Sequence, residues 1–205
     1  MTTQPKVDQA RKGASRSSVL TGPTYLTIIR MILSIVFVIF ATLPYLWSRI
    51  LALVIFVVAA ITDKIDGNWA RKSKQVTDLG AFLDPLADKM LVNLAFLVLT
   101  YLGIVPLWVF AAILIRDFAV DGMRMMMARE GKTIAASFYG KLKTTVQMTT
   151  LIVLLLNLIV NLEFFTIIGN IALYLALILT VFSGADYLVK GYRSLIASAK
   201  KSSAK

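Results

Sequence analysis

Six long apolar stretches, separated by short polar connections, dominate the chain from residue 21 onward. Each has about twenty residues, the length that an α-helix needs to cross the hydrocarbon core of a bilayer. Because the connections are short, neighbouring helices are predicted to run antiparallel. The pattern therefore predicts an all-α polytopic membrane protein with six transmembrane helices, at residues 25–46, 49–71, 82–102, 105–127, 139–160 and 164–190.

The basic residues are distributed unevenly around these stretches. One set of connections carries only Arg49 and Glu163 as charged residues, whereas the other set and both ends of the chain are rich in lysine and arginine. Since cytoplasmic connections are enriched in lysine and arginine, both termini are predicted to be cytoplasmic. The basic set consists of Lys6, Arg11, Lys12, Arg16, Arg71, Lys72, Lys74, Arg124, Arg129, Lys132, Lys190, Arg193, Lys200, Lys201 and Lys205.

The ends of the chain are polar and flank a predicted transmembrane domain at residues 21–192. Residues 1–20 lack the continuous apolar core of a secretory signal. They are interpreted as a cytoplasmic tail or surface helix, and their Arg/Ser/Thr composition leaves an organelle transit peptide as the alternative. Residues 193–205 are predicted to form a basic cytoplasmic tail.

The amino-acid composition limits the partners and the chemical reactions that the chain can have. Hydrophobic residues make up 58% of the chain, and the net charge is +11. Because the basic residues flank apolar stretches, they indicate contact with membrane lipids rather than with nucleic acid. The chain has no histidine and no cysteine. Acid–base chemistry and metal binding must therefore fall to carboxylates.

Four aspartates stand where the second stretch ends and the third begins. Asp63 and Asp66 are three residues apart, and Asp84 and Asp88 are four apart, so each pair shares one face of a helix. The short cytoplasmic link makes the two helices antiparallel, which places both pairs near the same membrane face. Carboxylates that converge in a low dielectric repel one another. Hard divalent cations remove that repulsion and can clamp a diphosphate.

Neighbouring residues suit the same chemistry. Gly67 and Gly80 allow close approach to the backbone, and Arg71 adds a cation for phosphate oxygens. The alternative is that the four aspartates form interfacial salt bridges with nearby lysines and arginines.

The acidic run resembles the signature of the CDP-alcohol phosphotransferase family. The chain matches that signature at every defined position, as Asp63-x2-Asp66-Gly67-x2-Ala70-Arg71-x8-Gly80-x3-Asp84-x3-Asp88. The resemblance implies a six-helix membrane homodimer whose site opens to the cytoplasm and holds Mg²⁺ or Mn²⁺, with two ions per site. It further implies that Asp63, Asp66 and Asp84 hold the ions. Asp88 would complete the second metal site and accept the proton of the attacking hydroxyl.

The resemblance also implies a binding site for the CDP part of the donor. Gly67, Arg71 and Thr77 would contact the nucleotide. Family members carry an Asn-x2-Thr segment at the first stretch, where this chain has Thr24-Tyr-Leu-Thr27. Thr24 and Thr27 are assigned to the same site, and Thr24 departs from the asparagine of the family.

The second half of the chain contains residues that indicate which alcohol would accept the transferred group. Arg116 lies inside an apolar run and needs a counter-charge, and Lys141 and Lys143 are predicted at the same interface. Cations beside the carboxylate site suit an acceptor that carries its own phosphate. The alternative is that Asp117 neutralises Arg116 while the lysines only set the topology.

Two runs, Arg116-Asp-Phe-x-Val-x-Gly-x-Arg124 and Gly140-Lys-x-Lys-Thr-x2-Gln147, resemble the bacterial branch of this family that makes phosphatidylglycerophosphate. That branch acts in the cytoplasmic membrane and transfers the phosphatidyl group of CDP-diacylglycerol to sn-glycerol 3-phosphate, releasing CMP. Cardiolipin synthases and phosphatidylinositol-phosphate synthases of the family are the alternatives. An ion-coupled transporter is the alternative from another class, although the second half of the chain shows no counterpart of the four aspartates.

Overall fold

The computed structural model describes residues 22–73, 78–130 and 138–203. The regular structure within these ranges is entirely α-helical, which confirms the all-α part of the predicted fold class. The helices, numbered in chain order, are α1 (Gly22–Thr42), α2 (Leu46–Ser73), α3 (Asp78–Tyr101), α4 (Leu107–Arg129), α5 (Phe138–Val160) and α6 (Glu163–Ser203).

The boundary between α1 and α2 differs from the prediction. The first apolar stretch was expected to remain helical to Leu46, but α1 ends at Thr42 and Leu46 begins α2. Pro44 explains the break, because proline has no N–H for a helix and disfavours the helical conformation of the residue before it. Hydrophobicity continues across this turn, so an apolar pattern alone cannot reveal it.

A glycine turn ends α3. Gly103 has a φ of +74° and donates its N–H to the carbonyl of Thr100 at 3.0 Å, while the N–H of Ile104 reaches the carbonyl of Leu99 at 2.9 Å. These two bonds form a Schellman motif, which satisfies carbonyls that the helix end would otherwise leave exposed. Pro106 then precedes the first residue of α4. The turn accounts for shifts of one or two residues from the predicted ends.

A tight turn joins α5 to α6. Asn161 has a φ of +51°, and its N–H donates to the carbonyl of Asn157 at 2.8 Å. The turn is short, as the sequence predicts for antiparallel neighbours. However, α6 continues past residue 190 to Ser203. The stretch at 193–203, which was predicted as a tail, is therefore helical.

The helices differ in the length of their apolar stretches. Among the described residues, three stretches are long and apolar enough to cross a bilayer: Tyr25–Thr42, Leu142–Val160 and Glu163–Ile196. Within the described side chains of α2 and α3, the apolar parts are shorter, at Leu46–Thr62 and Lys89–Tyr101.

The chain divides into two compact units. Among the described residues, the first contains 22–36, 55–73 and 78–91, and the second contains 37–54, 92–130 and 138–203. Described apolar side chains that are buried in the first unit include Phe56, Ala59, Ala87 and Leu91. In the second unit, α3, α4, α5 and α6 all supply buried apolar side chains to the core.

One face of α6 packs against both α4 and α5. Its buried residues recur every three or four positions, which is the spacing of a single helical face. Several of them are small, so the backbones can approach closely. The buried positions are Gly169, Leu173, Ala176, Thr180, Ser183, Gly184, Tyr187 and Gly191.

Candidate functional site

The four aspartates lie on helical backbone in the first unit. Asp63 and Asp66 belong to α2, and Asp84 and Asp88 belong to α3. The helical backbone agrees with the premise that each pair shares a helix face. Their side chains lie outside the described residues. Within the described part of the chain, no three acidic side chains come together as a metal site.

The composition of this acidic set fits the ions that the motif implies. A set made only of carboxylate oxygens suits Mg²⁺ or Mn²⁺, which prefer hard oxygen ligands. The chain has no histidine or cysteine that would favour a softer metal. The choice of these four residues as ligands remains a prediction.

The predicted nucleotide contacts fall mostly outside the described residues. Thr77 lies outside the described ranges. The structure describes the backbone of Thr24, Gly67 and Arg71, but not their side chains or surroundings. Thr27 is described and is buried within α1. The CDP-binding assignment therefore stays a prediction.

Arg116, by contrast, is described in full and lies in the second unit. Its Nε donates to the main-chain carbonyl of Thr180 at 3.0 Å. One terminal nitrogen donates to Asp117 Oδ1 at 2.9 Å, and the other donates to Ser183 Oγ at 2.9 Å. The side chain is 14% exposed. The guanidinium is thus held by partners on its own helix and on α6.

Lys143 reaches the same carboxylate from α5. Its ammonium donates to Asp117 Oδ1, and the two side chains are only 8% and 9% exposed. One turn further along α5, Gln147 Nε2 donates to Thr180 Oγ1 at 3.1 Å. We refer to this set of residues as the Arg116 cluster: Arg116, Asp117, Lys143, Gln147, Thr180 and Ser183.

The three helices each supply two residues to the Arg116 cluster. They are consecutive on α4, four apart on α5 and three apart on α6. The last two spacings place side chains on one face of a helix. The cluster therefore results from helical periodicity and from the packing of α6 against α4 and α5.

The charges of the Arg116 cluster do not cancel. Two cations, Arg116 and Lys143, share one carboxylate, Asp117, which leaves a net charge of +1 on the three side chains. A guanidinium has five N–H donors. Three of those on Arg116 are used by partners among the described residues. The remaining N–H groups of a guanidinium are suited to a charge-assisted contact with an anion.

The geometry of the Arg116 cluster can be compared with the two interpretations of its cations, namely phosphate binding and a role in charge neutralisation and membrane topology. Asp117 is a counter-charge of Arg116, which is the pairing that the alternative interpretation predicts. A lysine that serves only topology would extend its ammonium to the membrane surface, whereas Lys143 is buried. Phosphate binding by Arg116 and Lys143 stays a prediction, and the side chain of Lys141 lies outside the described residues.

Some buried polar residues were not predicted from the sequence. Thr180 and Ser183 were not expected to hold Arg116, and Arg30 was not singled out although it is buried within α1. The available signal was a polar or charged residue inside an apolar stretch, since such residues usually have a function in membrane helices. For Thr180 and Ser183 the three-residue spacing is a second signal.

Comparisons with known proteins identify the family. The model of the CDP-alcohol phosphatidyltransferase family matches residues 20–182, which include the acidic run and most of the Arg116 cluster. Several relatives carry the name CDP-diacylglycerol–glycerol-3-phosphate 3-phosphatidyltransferase. One from Bacillus subtilis is 36% identical over 86% of this chain and 97% of its own length.

Two further relatives of the same name have similar identities. One from Yersinia enterocolitica is 39% identical over 85% of this chain and 96% of its own length. One from Sodalis glossinidius is 40% identical over 81% of this chain and 92% of its own length. The family match also agrees with the long apolar helices of a membrane protein. On this evidence the chain belongs to the CDP-alcohol phosphatidyltransferase family.

Proposed function

We propose that the protein transfers the phosphatidyl group of CDP-diacylglycerol to sn-glycerol 3-phosphate. The observation that carries this proposal is the similarity, at 36–40% identity over more than four-fifths of the chain, to relatives named for that reaction. The unbroken acidic motif and the positively charged Arg116 cluster support it, because the reaction needs both a site for a diphosphate and a site for the acceptor phosphate.

The first unit supplies the residues assigned to the donor. Asp63, Asp66, Asp84 and Asp88 would hold two Mg²⁺ or Mn²⁺ ions, which would supply neutralisation of the diphosphate charge when bound. Gly67, Arg71 and Thr77, with Thr24 and Thr27 of the first helix, would bind the CDP part.

The proposed transfer is a displacement at phosphorus. A hydroxyl oxygen of glycerol 3-phosphate forms a bond to the phosphorus that bears the diacylglycerol, and the bond from that phosphorus to CMP breaks. Asp88 accepts the proton of the hydroxyl as general base. The products are phosphatidylglycerophosphate and CMP.

The second unit supplies the residues assigned to the acceptor. Arg116 and Lys143, with Lys141, would bind the phosphate of glycerol 3-phosphate. The net positive charge and burial of the described members favour a dianion over a neutral alcohol. The guanidinium is also suited to a two-pronged contact with phosphate oxygens.

The membrane arrangement follows from the charge pattern and the family. We propose six transmembrane helices with both termini in the cytoplasm, and a site that faces the cytoplasm of a bacterial cell. We also propose a homodimer, as the family resemblance implies. Glycerol 3-phosphate and CMP are water-soluble, so a cytoplasmic site gives both of them direct access.

An acceptor comparison tests the proposed activity. The purified protein in detergent, with Mg²⁺ and CDP-diacylglycerol, should release CMP with glycerol 3-phosphate and form phosphatidylglycerophosphate. Glycerol should be used far less efficiently because it lacks the phosphate. Chelation of the metal should abolish turnover, and Mg²⁺ or Mn²⁺ should restore it.

The same assay contains the outcomes that contradict the proposal. Equal kcat/KM with glycerol and glycerol 3-phosphate would remove the acceptor assignment. Release of CMP only with phosphatidylglycerol or with an inositol phosphate would move the protein to another branch of the family. Full activity in a metal-free preparation would contradict the role of the four aspartates.

A further inference from the structure

We infer that one turn of α6, from Thr180 to Gly184, positions the guanidinium of Arg116 and so sets the affinity for the acceptor phosphate. We call this turn the arginine cradle. The inference rests on the proposed function, since it concerns how a proposed acceptor-binding residue is held. The cradle residues act through Arg116 and are therefore positioning residues.

Gly184 provides the space in which Arg116 lies. A Cβ atom built at Gly184 would be 2.6 Å from Cγ and 2.7 Å from Nε of Arg116. Both distances are far shorter than ordinary contacts between such atoms. The side chain of Arg116 thus lies directly on the backbone of α6, and any larger residue at 184 would displace it.

Gly184 also leaves the carbonyl of Thr180 accessible. A helical side chain covers the turn before its own Cα, so a side chain at position 184 would lie over the carbonyl at position 180. That carbonyl accepts the bond from Arg116 Nε at 3.0 Å. The absence of a side chain at 184 therefore permits the bond that sets the angle of the guanidinium plane.

A second bond fixes the far end of the guanidinium. Ser183 Oγ accepts a hydrogen from Arg116 at 2.9 Å, and it is oriented by its own bond to the carbonyl of Thr180 at 3.1 Å. With Asp117 on the other terminal nitrogen, the guanidinium is held at three points. A planar group held in this way keeps its remaining N–H groups in a defined direction, which a bidentate phosphate contact requires.

Gly191 offers a matched control on the same helix face. A Cβ atom at Gly191 would be 2.6 Å from Cγ and 2.7 Å from Sδ of Met123, also on α4. The steric conflict is thus nearly the same as at Gly184. Met123 is an apolar and adaptable side chain outside the Arg116 cluster, so its displacement should affect packing only.

The experiment compares Gly184→Ala with Gly191→Ala in the full-length protein in detergent. The measurements are the KM for glycerol 3-phosphate, the KM for CDP-diacylglycerol, kcat and thermal stability. Gly184→Ala should raise the KM for glycerol 3-phosphate about tenfold, equivalent to about 1.4 kcal/mol. The KM for CDP-diacylglycerol should change by less than about twofold. Gly191→Ala should leave both KM values near the unmodified ones, although both variants should lose thermal stability.

A double-mutant cycle with Arg116→Ala tests whether the effect passes through the arginine. Once Arg116 is removed, Gly184→Ala should not raise the KM for glycerol 3-phosphate further. Additive effects would show that Gly184 acts by another route and would overturn the inference. Equal increases in KM for Gly184→Ala and Gly191→Ala would also overturn it, because general loosening of α6 would then explain both.

The outcomes separate this inference from the proposed function. If Arg116→Ala raises the KM for glycerol 3-phosphate and Gly184→Ala does not, only the positioning role is wrong. If Arg116→Ala leaves that KM unchanged, the acceptor assignment fails and the positioning role fails with it. Should Gly184→Ala not fold, Ser183→Ala adds no atoms and removes one anchor. An unchanged KM for glycerol 3-phosphate in Ser183→Ala would then overturn the inference.

Discussion

Two regions of the second unit contain an aspartate–lysine ion pair, and the pairs differ in their surroundings. Asp186 and Lys190 lie one turn apart on α6, with an N–O distance of 2.7 Å and exposures of 29% and 57%. Asp117 and Lys143 join α4 to α5 and are only 9% and 8% exposed. The first pair is local and partly exposed, whereas the second connects separate helices in the interior.

The difference in burial changes what each pair contributes. An exposed pair gains little, because solvent screens the charges and ordering two side chains costs entropy. In a buried pair the charges have already lost their hydration, so each depends strongly on its partner. Stability alone is a weak explanation for a buried ion pair that has an additional cation beside it. The proposed binding of the acceptor phosphate would give this additional cation a function.

The largest effect should follow from breaking the buried pair at the carboxylate. Asp117→Ala leaves the charges of Arg116 and Lys143 without their shared partner, and it should lower the free energy of unfolding by about 3–5 kcal/mol. Thermal unfolding in detergent measures the loss. A variant as stable as the unmodified protein would mean that the two cations find other partners, and that Asp117 is not central to the cluster.

An intermediate effect should follow from removing one cation. Lys143→Met keeps Asp117 paired with Arg116 and reduces the charge of the three residues from +1 to zero. The KM for glycerol 3-phosphate should rise roughly ten- to a hundredfold, because a charge-assisted contact is lost. The KM for CDP-diacylglycerol serves as the internal control. An equal rise in both KM values would point to structural damage instead of acceptor binding.

The smallest effect should follow from breaking the local pair on α6. Lys190→Ala should change the free energy of unfolding by about 0.5 kcal/mol or less, since exposed pairs four residues apart contribute only this much. Both KM values should stay as they are. A loss comparable with that of Asp117→Ala would show that exposure does not distinguish the two pairs.

Much of the architecture could be predicted from the sequence, because membrane helices have a strong hydrophobic signal. The helical class and most helix positions are confirmed by the structure. The errors occurred where hydrophobicity continues while the backbone changes, as at Pro44, or where polarity begins while the helix continues, as after Lys190. At Pro44 the backbone chemistry of proline, and not the apolar pattern, determines the boundary.

The site was predictable to a different degree in the two units. The acidic run has fixed spacings on neighbouring helices, so its residues could be named from the motif alone. The cradle of Arg116 could not, because it depends on how α4 and α6 face one another. That contact joins residues 64 and 67 positions apart in the chain. A single sequence does not reveal how one helix is rotated relative to another.

The extension of α6 has a consequence for the membrane surface. Its 41 residues span about 62 Å at the rise of an α-helix, roughly twice the thickness of the hydrocarbon core. Even a strongly tilted helix of this length must project beyond the lipid tails. In the proposed topology the projecting turns are the C-terminal ones, which contain Arg193, Lys200 and Lys201. The helix that supplies Thr180, Ser183 and Gly184 to the surroundings of Arg116 is thus also long enough to place these basic residues among anionic headgroups.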